Sequence, residues 1–70
     1  MFSKKVDWMD LDIYLTNYCM RKKVNKTDFI TDKIGVDITT HYNTRDRNEF
    51  LNEKTYKKYK KALPDFDWND

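Results

Sequence analysis

The sequence predicts an all-α fold, mostly four short helices in one small domain. Three observations predict it. Apolar residues recur at spacings of three and four rather than two. The only glycine, Gly35, stands between two such segments in Asp32-Lys33-Ile34-Gly35-Val36-Asp37. The only proline, Pro64, follows the last segment, where it stops a helix.

Asp7 is a suitable N-cap for a helix over about 8–22. Trp8, Leu11, Leu15, Tyr18 and Lys22 form one stripe along it, with the Lys22 stem able to snorkel at its end. Arg21 and Lys22 put positive charge in the last turn, where the helix dipole favours it. A second helix begins at Asn25 or Lys26, with Asp28 in its first turn and Ile30 and Ile34 on one face. Gly35 ends it, because glycine takes a positive φ without strain and redirects the chain.

Asp37 can cap a third helix through Ile38-Thr39-Thr40-His41-Tyr42-Asn43. That stretch is rich in β-branched residues. A strand over Val36 to Tyr42, giving a small α+β domain, is the competing expectation. Thr44 to Glu49 reads as a polar loop. Asn52 caps a last helix running to about Ala62, and Leu51 just before the cap is set to pack back on Tyr56. Tyr56, Tyr59 and Leu63 form its apolar face, while Lys54, Lys57, Lys58 and Lys61 form a basic stripe on another face. Residues 1–70 make a single domain, with 7–63 helical and 64–70 an acidic tail carrying Phe66 and Trp68.

A chain of this length buries about 60–65% of its unfolded surface, so large aromatic side chains must supply much of the core. Net charge is only +2, but it is unevenly spread: −1 over residues 1–19, +6 over 20–61 and −3 over 62–70. A basic middle suits a face presented to a polyanion. The lysine stripe on the last helix reads first as a solvated surface. A single cysteine excludes an internal disulfide. No apolar run approaches the roughly 18 residues of a membrane span. Phe2-Ser3-Lys4-Lys5 leads into Asp7 and Trp8 rather than an apolar core, so a secretory signal is not expected and the expected setting is cytoplasmic.

One histidine and one remote cysteine make no zinc set. His41 reads as a partly buried or ligand-facing side chain, and Cys19 as a small buried or boundary residue. Asp7/Asp10/Asp12 and Asp65/Asp67/Asp70 lack a calcium-loop pattern. Nucleophile elbow, phosphate-binding glycine loop and paired catalytic carboxylates are all missing from the sequence. Neither an enzyme nor a bound metal or cofactor is expected.

The stretch Thr27 to Asp37 resembles the helix-turn-helix of the Cro and lambda-repressor type. Ile30, Thr31, Ile34, Gly35, Val36 and Asp37 fill the apolar, small, apolar, glycine, apolar and small polar places of that motif. Phe50-Leu51-Asn52 through Leu63 looks like the following helix, so the likeness covers about 25–63. Thr31 stands where alanine is usual, and His41 where an apolar residue is buried, with Tyr42 beside it as another candidate for that site. Thr44 takes the next apolar place.

The resemblance implies a sequence-specific DNA-binding protein, a small transcriptional repressor of phage or mobile-element type. It implies binding to double-stranded DNA as a homodimer reading half-sites about 34 Å apart. The third helix then enters the major groove. Ile38 would meet a thymine methyl, Thr39 would make a hydrogen bond or methyl contact, and Asn43 would read adenine. Lys26 and Thr27, with Arg45 and Arg47, would hold phosphates.

A different reading keeps the fold and replaces DNA by protein. The low net charge, Ile38 at a base-reading place and the aromatic tail suit a non-catalytic inhibitor or adaptor of phage type. Phe66 and Trp68 are expected first to fold back and complete the core; in this other reading they dock on a second subunit or another protein instead.

Overall fold

Four helical segments follow one another in the computed structural model, which describes residues 2–68. Met1, Asn69 and Asp70 lie outside the described residues, and with them the last two positions of the expected tail. The fold is all-α. The one element of β pairing among the described residues is a single antiparallel bridge, Lys4 to Leu51, with both N–H···O distances 2.8 Å.

Helix α1 spans Trp8–Lys22, capped by the Asp7 carboxylate, which accepts from the Asp10 amide at 3.2 Å. Trp8, Leu11, Leu15 and Cys19 are its buried residues, and Tyr18 is half-buried. Lys23 ends α1 in a left-handed conformation at φ 58°. A second left-handed turn uses Asn48 at φ 52°, so the chain makes two sharp turns without a glycine.

The second segment starts as α2, Lys26–Asp28, and continues without a break as a π-helical turn over Phe29–Ile34. The Asn25 side chain caps it by accepting from the Asp28 amide at 3.2 Å. Within it the Thr31 hydroxyl donates to the carbonyls of Thr27, at 3.0 Å, and Asp28, at 3.3 Å. Phe29, Ile30 and Ile34 still reach the core. Gly35 then turns the chain at φ 83°, and the Gly35 and Val36 amides both donate to the Ile30 carbonyl, at 3.0 and 3.2 Å.

Helix α3 covers Ile38–Asp46, with Asp37 accepting from the Thr39 and Thr40 amides. This overturns the strand expected as an alternative over Val36 to Tyr42. It also extends the helix through Thr44, Arg45 and Asp46, which the sequence assigned to a loop. The Thr44 hydroxyl bonds back to the Thr40 carbonyl at 2.7 Å, so this polar residue fits inside the helix. Helix α4 is Glu53–Ala62, capped by Asn52, with Leu51, Tyr56, Tyr59 and Leu63 in the core as expected.

The core is aromatic and continuous. Leu11, Leu15, Ile30 and Leu63 are fully buried, ringed by Trp8, Phe29, Tyr56, Tyr59 and Trp68. His41 lies among them, 1% exposed. It takes the apolar place of α3 itself, while Tyr42 stays half-exposed. A polar ring is admitted because His41 Nδ1 and the Tyr59 hydroxyl share a 2.6 Å hydrogen bond. Its Nε2 has no hydrogen-bond partner among the described residues.

The tail folds back. The Trp68 indole donates to the Leu63 carbonyl at 2.9 Å, and its ring stands edge-on to Tyr56, Tyr59 and Phe66. Phe66 also packs against Tyr14. This agrees with the first expectation for the tail, that it completes the core, and leaves Trp68 buried rather than held out for a partner. Trp68→Ala is expected to cost roughly 3–5 kcal/mol, enough to leave so small a domain largely unfolded, as read by urea denaturation.

Burial first, and then the charges of Lys26 and Arg45, push the His41 imidazole down from 6.5 to about 4. The unfolded chain takes up this proton before the folded one. The contribution is therefore complete above pH 6.5, declines as pH falls toward 4 and levels off below it. Unfolding free energy is expected to drop by about 3 kcal/mol across that window. His41→Leu should flatten this limb of a pH series of urea midpoints, and an unchanged limb would contradict the assignment.

Candidate nucleic-acid interface

The α2–turn–α3 unit carries all seven residues singled out for DNA contact. The structure separates them into two groups. Thr39, Asn43 and Arg47, at i, i+4 and i+8, are exposed on one side of α3 and its C-terminal end. Thr27 is exposed at the start of α2, where its carbonyl accepts from Thr31.

Lys26, Ile38 and Arg45 are placed otherwise. Ile38 is half-buried and packs against the core, so its side chain is not free at the surface. Lys26 Nζ lies 2.6 Å from Asp12 Oδ1 and 3.1 Å from the Thr16 hydroxyl, both on α1. Arg45 is helical rather than in a loop. It reaches Asp12 at 3.5 Å and Asp46 at 3.0 Å, and lies over the Tyr42 ring at 4.7 Å. Two of the four expected phosphate ligands thus turn toward one carboxylate.

Asp12 is a residue the sequence reading left as solvated charge. It sits on the same helix as the buried stripe, one residue after Leu11, and nothing in the spacing marks it as a partner for α2 and α3 at once. Burial alone would raise its carboxyl group. The hydrogen bond from Lys26, helped by the charges of Lys26 and Arg45, outweighs this and holds it below the ordinary value.

The neighbouring charges are mixed. Asp28, Asp32, Asp37 and Asp46 are exposed along α2, the turn and α3. The cations near the turn come instead from elsewhere. Lys58 of α4 donates to the Gly35 carbonyl at 3.3 Å. Lys33, Lys58 and Lys61 line a shallow groove whose walls include Tyr18 and Phe29. The lysine stripe was legible in the sequence, but its approach to Gly35 was not, since it depends on how α4 packs. Among the described residues, no three His, Cys, Asp or Glu side chains gather as a metal site.

No protein-family model matches the chain, and neither a curated protein nor a solved structure matches it. The resemblance to the Cro and lambda-repressor motif therefore rests on the residues from Ile30 to Asp37 and the turn they make.

Asp12→Asn is expected to release Lys26 and Arg45 and to strengthen retention on heparin, so that elution moves to higher salt. Asp65→Asn, which changes net charge equally at an exposed site in the tail, is the control. Equal shifts for the two variants would show that Asp12 does not restrain the two cations.

Proposed function

We propose that the protein binds double-stranded DNA as a small transcriptional repressor of phage or mobile-element type. Helix α3 lies in the major groove with Thr39 and Asn43 at base edges and Arg47 on a phosphate. One observation carries the reading. Thr39, Asn43 and Arg47 share the exposed side of a helix set by a left-handed Gly35 turn. Asn43 is suited to adenine, and Thr39 to a hydrogen bond or a thymine methyl. Lys58 and Lys33, near the same turn, add backbone contacts.

A second reading, a non-catalytic inhibitor or adaptor that binds protein, is favoured by a different observation. Asp12 occupies two of the expected phosphate ligands, and Asp46 shares the exposed side of α3 with Asn43. Such a surface attracts a polyanion weakly.

Titration of duplex DNA at several salt concentrations separates the two. With roughly three phosphate contacts per protomer, the log–log slope is expected near −3. Arg47→Ala should weaken binding to all sequences and reduce that slope by about 1. Asn43→Ala should remove roughly 1–3 kcal/mol of preference at one base pair of a selected site. Absence of binding at low salt would overturn the DNA reading and leave the adaptor.

A further inference from the structure

Helix α1 carries an apolar stripe on the side it turns away from the core. Met9, Ile13 and Met20 are 75%, 55% and 72% exposed. With Thr16 between them they follow a four-three-four spacing, the pattern of a helix–helix seam. At about 100° per residue these four positions fall within an arc of about 60°. Thr16 is half-buried, and its hydroxyl accepts from Lys26 at 3.1 Å. Single exposed apolar residues are ordinary, but an aligned row along one helix is the mark of a contact surface.

The charges beside the stripe select its occupant. Asp7, Asp10 and Asp12 lie at or near the start of α1, and Arg21, Lys22 and Lys23 at its end. Asp10 and Arg21 flank the stripe on the same side, at about 100° and 120° from Met9. Around a two-fold axis, antiparallel helices bring a flank against the same flank running the other way. Asp10 of each copy then meets Arg21 of the other, twice per pair. A parallel pairing sets acid against acid and base against base.

We propose that α1 is a self-association surface. Two copies of this chain pack antiparallel through Met9, Ile13, Thr16 and Met20, with the axis passing near the middle of the helix. The seam is short, since fifteen residues span about 22 Å. The dimer is accordingly concentration-dependent rather than constitutive. The resemblance implies a homodimer but assigns it no surface; the seam on α1 and its antiparallel sense come from the exposed stripe and its charges, and do not depend on the DNA reading.

Sedimentation equilibrium of the full chain without DNA, from low micromolar to near-millimolar concentration, is the test. A monomer–dimer equilibrium is expected. Ile13→Glu and Met20→Glu, both at exposed positions, should each raise the dissociation constant at least roughly tenfold while far-UV circular dichroism stays helical. Asp10→Arg and Arg21→Asp should each weaken the dimer, and the double variant should restore it. A monomer at every concentration would overturn the proposal and give the stripe to a different protein or surface. So would a dimer strengthened by Asp10→Arg alone, which indicates parallel pairing, or a double variant that stays weak. Because no DNA is present, each result is separate from the fate of the DNA reading.

Discussion

The position of α3 depends on one buried hydrogen bond, between His41 and Tyr59. His41 is the only fully buried side chain α3 contributes, and its bond to the Tyr59 hydroxyl measures 2.6 Å. Everything proposed for the exposed side of α3 is downstream of this tie. In a low-dielectric core the bond is stronger than in water, and an unpaired partner would cost about 1–3 kcal/mol. Tyr59 is also the hub of the aromatic core. Trp8 stands edge-on to it from α1, and Trp68 meets it from the tail, at centroid distances of 6.1 and 6.3 Å. Trp8 in turn donates to the Glu49 carbonyl at 2.8 Å, which fixes the chain between α3 and α4. One small set of rings therefore orients α1, α3, α4 and the tail together.

Asp12 acts at the surface of the same assembly in a different way. Its ion pairs with Lys26 and Arg45 are about one-quarter to one-third exposed. Pairs of that kind contribute little net stability, on the order of 0–1 kcal/mol. Their effect is on direction. They aim Lys26 and Arg45 at α1, where otherwise both would extend toward solvent beside α2 and α3. After burial, the same two charges also help keep His41 neutral, while Asp12 opposes them.

Much of the fold was legible because its signals are local. The caps Asp7, Asp37 and Asn52 each act within a few residues, and each was readable from its own neighbourhood, whereas the start at Asn25 was left between Asn25 and Lys26. Gly35 was readable for the same reason, since a lone glycine after Ile34 announces a left-handed turn. The π-helical winding was not, since apolar spacing of three and four does not distinguish it from an α-helix. The sequence left His41 between partial burial and an outward-facing place, because the partner that makes full burial tolerable, Tyr59, lies on another helix. Arg45 was assigned to a loop on polarity alone, and a helix whose buried face is one residue wide tolerates that polarity. At the candidate site, Ile38 and Thr39 were placed by the resemblance rather than by spacing, and of the two only Thr39 is exposed. The loss of Lys26 and Arg45 to Asp12 is a tertiary event with no sequence signal.

Charge along the chain is a poor guide to charge in space here. The basic middle looked separate from the acidic ends, yet Asp12, from the acidic first segment, binds two of the middle's cations. Lys57 is likewise paired with Glu53, at 3.1 Å. Lys33, Lys58 and Lys61 gather instead at the groove beside Tyr18 and Phe29, between the π-helical turn and α4. Along α3 itself the exposed cation Arg47 is offset by Asp46. The cations nearest the turn thus come mainly from α4. In the proposed complex, α4 and the groove would supply attraction to the phosphate backbone, and α3 would supply hydrogen bonds with almost no net charge. Affinity and sequence preference would then reside on different helices, joined through Gly35, whose carbonyl receives Lys58 just before α3 begins.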